Sequence, residues 1–267
     1  MTATITASKI TTYLMCARKF AFRYVEEIPP AWKSSALAFG SAIHSALEAF
    51  HSAKKDGRLM SAEEVATIFL SDWQAAQLDE LHFKEGEDGA SLRDLGLALV
   101  TRYVESAGDL KVREVESRFE IPLVDETTGE VLGPSLRGVF DLILDGHVVV
   151  ELKTAARAWD ETAMSRNLQL TAYSYAYWSL HQVMPWLQVT ALLKYKRPKI
   201  DRYRAGRTSE EHAWFVHLAA TIARGIETEV FPPNPGWLCN DCEYLAPCSG
   251  WRGRTFHLPI VNSSPNP

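Results

Sequence analysis

The sequence predicts a mixed α/β fold, with a central sheet flanked by helices and a helical elaboration. Three observations carry this. The first third has the apolar spacing of helices, residues 111–154 switch to β-branched runs, and the remainder returns to helix, strand and helix. At 267 residues the chain can bury one sizeable core. No linker-like stretch divides it, so one domain over 1–267 is expected, with 56–108 as a helical lobe.

Ser8 is placed to cap a first helix whose stripe is Ile10, Tyr13, Leu14, Ala17, Phe20, Ala21 and Tyr24, closed off by Pro29 and Pro30. A second helix is expected from Ala36 to about Ala53, with Gly57 beyond it. Ser61 and Glu64 have capping-box spacing for a third, through Phe69, Trp73 and Ala76. After the acidic loop Phe83–Gly89, a fourth runs near Leu92–Ser106. Lys111–Val124 reads as a strand before a turn at Thr127-Thr128-Gly129, and Leu136–Leu144 and Val148–Thr154 read as two more. A long helix from about Thr162 to Val183 stops at Pro185, Trp186–Tyr195 is the next strand, and Ser209 opens a helix to about Val230. Residues 231–236 then break regular structure, the cysteine-rich region occupies 231–257, and the tail 258–267 reads as frayed.

Hydrophobic content of 46%, charged content of 23% and a net charge of −5 are those of a soluble globular protein. They argue weakly against coating nucleic acid by bulk charge, yet they do not exclude a nuclease, whose acids can collect in the site. Lys194, Lys196, Arg197, Lys199, Arg202, Arg204 and Arg207 form a local basic stretch, either one wall of a groove or a solvated loop. Met1–Lys9 lacks a basic segment followed by an apolar one, and no apolar run approaches ~20 residues. A cytoplasmic protein with no signal peptide and no membrane span is expected.

The chemistry concentrates on two strands. Val149, Glu151 and Lys153 share one strand face, and a carboxylate beside an ammonium in an apolar strand needs a partner or a metal. A two-residue turn at Asp145-Gly146 would set Asp141 opposite Val150. A three-residue loop, Asp145-Gly146-His147, sets it opposite Glu151, with Cβ atoms ~5 Å apart. A shared site therefore requires the odd loop or a bulge. Two carboxylates that close call for a cation, and oxygen ligands suit Mg²⁺ or Mn²⁺. Lys153 could then stabilise an attacked phosphate or hold the attacking water. The competing reading is a buried Glu151–Lys153 ion pair with Asp141 elsewhere. His44 and Glu48 share a helix face, as do Gln169 and Tyr173. Each pair suits a site or a plain polar face.

Cys239-x2-Cys242-x5-Cys248, with Cys16, gives four thiolates in a chain where disulfides are not expected. Four thiolates complete a zinc or a [4Fe–4S] site.

The ordered set Gly40-x3-His44, Gly138-Val139-Phe140-Asp141, Glu151-Leu152-Lys153-Thr154 and Gln169-Leu170-x2-Tyr173 resembles the PD-(D/E)XK nuclease superfamily, in its RecB-like branch. The resemblance covers nearly the whole chain, without the nominal Pro-Asp pair, as is usual in this branch. It implies a restriction-endonuclease-like mixed sheet flanked by helices. It implies that His44, Asp141, Glu151 and the Leu152 carbonyl hold Mg²⁺ or Mn²⁺, with Lys153 as catalytic lysine and Gln169 and Tyr173 near the DNA. Glu116 matches an acidic residue often found on the first core strand, though Glu114 and Glu120 lie close by. The cysteine plan resembles AddB-type nucleases and CRISPR-associated RecB-like exonucleases, which implies a [4Fe–4S] cluster on Cys16, Cys239, Cys242 and Cys248. Ala17 departs from the proline common after the first cysteine. Such a cluster would close a loop of more than 200 residues, worth about 4–5 kcal/mol if a disulfide-like estimate transfers.

The implied function is a metal-dependent DNA exonuclease acting on single strands and trimming CRISPR spacer precursors, with adaptation integrase proteins as partners. The alternatives are a RecB-family repair or phage nuclease, and a catalytically silent iron–sulfur scaffold that binds DNA.

Overall fold

The computed structural model describes residues 4–251. The expected frayed tail, 258–267, and the end of the cysteine region, 252–257, lie outside the described residues. In chain order the elements are β1 (Thr4–Ile5), α1 (Ala7–Met15), α2 (Ala17–Tyr24), β2 (Lys33–Ser34), α3 (Ser35–Lys55), α4 (Ala62–Ala76), β3 (Leu81–His82) and α5 (Gly89–Ser106). There follow β4 (Val112–Ile121), β5 (Ser135–Leu144), β6 (Val148–Ala155), α6 (Glu161–Ser165), α7 (Leu168–His181), β7 (Trp186–Leu193), β8 (Lys199–Ala205) and α8 (Ser209–Glu227). A 3-10 turn, Trp237–Asp241, and α9 (Leu245–Trp251) complete the described chain.

The β-branched runs of the middle third pair into one six-stranded mixed sheet. β5 is its hub. One edge of β5 carries β4 antiparallel, from Leu136 to Leu144. The other edge is shared: β6 pairs antiparallel with residues 142–144, and β1 pairs parallel with residues 135–136. β7 lies parallel to β6, and β8 antiparallel to β7.

Each face of the sheet buries its own layer. Ile10 of α1, Tyr175 and Tyr177 of α7 and Phe215 of α8 pack on Phe140, Val149 and Val189. Ile43 and Leu47 of α3, Phe69 of α4 and Leu99 of α5 pack on the opposite face with Leu142, Val150 and Leu152. Burying each such side chain contributes about 1.5–3 kcal/mol. Close packing is tightest where α4 meets α5. A Cβ on Gly96 would lie 1.9 Å from Cζ of the fully buried Phe69. Gly96→Ala gains about 1 kcal/mol of helix propensity but must displace that ring, at about 1–3 kcal/mol or more. A net fall in thermal midpoint is expected, and an unchanged or raised midpoint would refute the packing argument.

Several expectations need correction. The first helix breaks at Cys16, whose backbone is extended at φ −164° and ψ 107°. Its cap is Thr6 rather than Ser8: the Thr6 hydroxyl accepts the Lys9 N–H at 3.1 Å. The expected long helix from Thr162 is two, because Asn167 Oδ1 accepts the Leu170 N–H at 3.0 Å and starts α7 afresh. The buried Arg207 side chain fills that break, donating to the Met164 carbonyl at 2.7 Å and to Thr171 Oγ1 at 2.8 Å. The basic stretch is partly the strand β8, not a loop. Arg202 donates to the Ser106 carbonyl at 3.0 Å and Arg204 to Gln188 Oε1 at 3.2 Å, so these cations serve the fold.

Candidate active site

The loop between β5 and β6 is the odd one. Leu144 pairs Val148 across Asp145-Gly146-His147, with left-handed φ of 77° at Gly146 and 58° at His147. The same register runs through Leu142 opposite Val150 and sets Asp141 opposite Glu151. The ladder stops there. Asp141 Oδ2 accepts the Leu152 N–H at 2.7 Å, so a side chain takes the place of a carbonyl and the two strands part.

The same row interrupts the neighbouring pair. Val115 pairs Leu142 and Ser117 pairs Phe140, which leaves Glu116 opposite Asp141 without a ladder pair of its own. Glu116 sits at φ 47°, a left-handed conformation rare in a strand, costing about 1–3 kcal/mol. The flip changes which way both strands face. Phe119 and Phe140 pack toward α7, whereas Val115 and Leu142 pack toward α3. Gly138, three residues before Asp141, is the cross-strand partner of Phe119, and a Cβ there would lie 2.4 Å from the ring. The aromatic ring thus covers the glycine on the strand leading into the site.

His44 arrives from α3. Its Nε2 lies 2.8 Å from the Leu152 carbonyl, and its Nδ1 lies 3.9 Å from Asp141 Oδ2. If Nε2 carries the proton to that carbonyl, the Nδ1 lone pair faces the carboxylates. Burial holds the imidazole below its ordinary pKa, opposed in part by the Glu151 charge. His44, Glu116 and Asp141 each offer a ligand atom, all within 4.8 Å of one another.

Glu151 is only 2% exposed. One carboxylate oxygen meets the Lys153 ammonium, and the other, Oε2, is buried without a hydrogen-bond partner. Tyr173 of α7 stands close enough that burial, then the charges of Glu151 and Asp141, push its hydroxyl well above the ordinary phenol range. Gln169 Nε2 donates to that hydroxyl at 2.9 Å. A cavity of about 240 Å³ opens beside Asp141, Gln169 and Tyr173, walled by Thr6 and Ser8 at the head of α1.

These residues fit a divalent cation. The carboxylates repel: burial, then the Glu151 charge, raises Asp141 far above the carboxylate range, and burial with the Glu48 and Glu151 charges raises Glu116. The orphaned Glu151 oxygen and the lone-pair face of His44 add unfilled donors. Glu116 joins His44 and Asp141, Glu151 is held by Lys153, and the Leu152 carbonyl takes the His44 ring nitrogen.

The Asp141 shift fixes a pH response in the metal-free protein. An acid whose folded pKa is raised binds more protons folded than unfolded, so its ionisation costs stability as pH climbs above the unfolded value near 3.8. Asp141→Asn keeps an acceptor for the Leu152 N–H and carries no charge. In EDTA the variant should become progressively more stable than the native chain between pH 5 and pH 7, by about 1–3 kcal/mol. A difference that stays flat with pH would contradict the buried charge.

The four cysteines line one small cavity, with Lys19, Phe22 and Tyr244. Burial raises the Cys242 thiol, opposed in part by the Tyr244 N–H and the Lys19 charge. The segments that carry Cys16 and Cys242 also meet by ordinary contacts. Lys19 Nζ lies 2.8 Å from Glu243 Oε2, and Phe22 stacks on Tyr244 at 5.9 Å between centroids.

Residues 4–249 match the sequence profile of the PD-(D/E)XK nuclease superfamily. No curated protein is matched. Among solved structures, the fold is similar to that of a protein from Eubacterium rectale named "Putative exonuclease", with a TM-score of 0.56 over 97% of this chain and 91% of that one, at 14% identity. SSO0001 gives a TM-score of 0.45 over 92% of this chain and 85% of that one, also at 14% identity. No helix among the described residues is long and apolar enough to cross a membrane. Matched over residues 4–249, the chain belongs to the PD-(D/E)XK nuclease superfamily.

Proposed function

We propose that this protein is a divalent-metal-dependent deoxyribonuclease that removes nucleotides from the ends of single-stranded DNA. The observation that carries the reading is the cluster of His44, Glu116 and Asp141, set beside a buried Glu151 oxygen with no partner and the Lys153 ammonium. His44 Nδ1, Glu116 and Asp141 would hold the ion, with Glu151 at its flank. When bound, Mg²⁺ or Mn²⁺ supplies Lewis-acid polarisation of a phosphate oxygen and a lowered pKa for water.

The remaining roles belong to the chain. Lys153, held by Glu151, sets a positive charge where a phosphate gains negative charge as water attacks phosphorus and the bridging P–O bond breaks. Tyr173, steadied by Gln169 and facing the Glu151 carboxylate, would donate to a phosphate oxygen. The cavity beside Asp141 has room for the strand next to the broken bond.

The cysteines support a [4Fe–4S] cluster on Cys16, Cys239, Cys242 and Cys248, since all four line one cavity. Trimming of CRISPR spacer precursors, beside adaptation integrases, rests on the cysteine plan. The test uses anaerobically purified protein with end-labelled single- and double-stranded DNA, in Mn²⁺ or EDTA. Mononucleotide or short products from single strands in Mn²⁺ alone are expected. Cleavage that persists in EDTA would overturn the mechanism, and a strong preference for duplex would overturn the substrate.

A further inference from the structure

Helix α3 carries more than His44. Three of its exposed residues, Leu37, Ser41 and Glu48, fall with His44 at spacings of four, three and four, which places these four on one stripe. Seven residues at 1.5 Å per residue put Leu37 ~10 Å along the helix from His44. Gly40 and Ser41 between them are small, and Thr154 Oγ1 of β6 lies 3.6 Å from where a Cβ on Gly40 would stand.

The stripe begins at a groove of about 540 Å³, walled by Pro29, Pro30, Trp32 and Leu37, within the ~300–1,000 Å³ of ordinary ligand clefts. Trp32 is held in place. Its ring stacks on His82 at 4.4 Å between centroids and 29° between planes, and His82 Nε2 lies 3.5 Å from Asp241 Oδ1. Leu37 is 59% exposed, an apolar side chain with nothing over it among the described residues. The groove's charges balance, with Arg23 and Lys33 against Glu27 and Glu243. A balanced lining around an anchored indole suits flat apolar faces better than phosphates.

We infer that this groove is a base-binding subsite for the single strand whose scissile phosphate lies at His44 and Asp141. The inference rests on the nuclease reading above and adds where the unpaired bases go. At ~3.4 Å per stacked nucleotide, the ~10 Å from His44 to Leu37 spans about three nucleotides. A base stacked on Trp32 would anchor the strand end at a fixed distance from the bond to be cut. Stacking of this kind tolerates any sequence.

The test is equilibrium binding of fluorescein-labelled 20-mer oligo(dT) in EDTA, where the proposed cleavage cannot occur. Oligomers carrying one abasic position are compared at each of the positions flanking the cleavage site. The native protein should bind about tenfold less tightly when the missing base falls in one register, two to four nucleotides from the cut. Trp32→Ala should weaken binding of the intact strand by a similar factor and erase that contrast. Leu37→Glu, at an exposed position, should do the same without touching the core. Circular dichroism and thermal midpoints check that both variants fold. A flat abasic profile, or a contrast that survives in both variants, overturns the subsite. A contrast with no Mn²⁺-dependent cleavage supports the subsite as a strand-binding groove and counts against the nuclease reading alone.

Discussion

Lys153→Ala should lower the proposed Mn²⁺-dependent DNA cleavage by about 10²- to 10³-fold, the usual loss when one preorganised charge is removed from a developing oxyanion. Single-turnover rates at saturating DNA measure it. Lys153 is not one of the clustered ligand donors, so Mn²⁺ should still raise the thermal midpoint of the variant. The shift should if anything be larger, because the change leaves the buried Glu151 carboxylate with no cation but the metal. Lys153→Arg keeps the charge but not the point geometry and should recover only part of the rate. A Lys153→Ala variant within threefold of the native rate would remove the lysine from the mechanism.

Cys242→Ser should lower the thermal midpoint by on the order of 10 °C. The proposed cluster joins residue 16 to residues 239–248, and closing so long a loop is worth about 4–5 kcal/mol in the unfolded state. For a chain of this size each kcal/mol moves the midpoint by about 2–4 °C. Calorimetry on anaerobic protein reads the midpoint, and visible absorbance reads the cluster. The Lys19–Glu243 ion pair and the Phe22–Tyr244 stack also hold the ends and remain after the substitution. Loss of absorbance with an unchanged midpoint would therefore mean that these contacts suffice and that the cluster is no staple.

The site was legible where period-two alternation holds. Glu151 and Lys153 share a face of β6 by count alone, and loop parity made the meeting of Asp141 with Glu151 conditional on a three-residue loop, the register that the fold adopts. Glu116 could not be chosen over Glu114 and Glu120 by the same means. Its left-handed φ reverses the facing of β4, so counting inward from Phe119 and from Val115 gives opposite answers. Glu114 is instead taken by the Ser117 hydroxyl. The one usable signal was position: a charged residue at the centre of a strand that must lie beside Asp141. The helix breaks were hidden for a related reason. The apolar stripes run on past Cys16 and Arg166, while a cap at Asn167 and a distant Arg207 decide where the backbone leaves the helix. β8 escaped because its burial comes from β7 and α5 rather than from its own composition.

The interrupted row Glu116, Asp141 and Glu151 amounts to a window through the sheet. Reagents reach it from both layers, His44 from the α3 side and Tyr173 from the α7 side. Neither layer alone frames the reaction. The spacing between imidazole and phenol is set by two hydrophobic packings that share no residue. Core variants that loosen either one should lose activity at temperatures where the chain is still folded. Heat inactivation should then precede unfolding, whichever layer yields first.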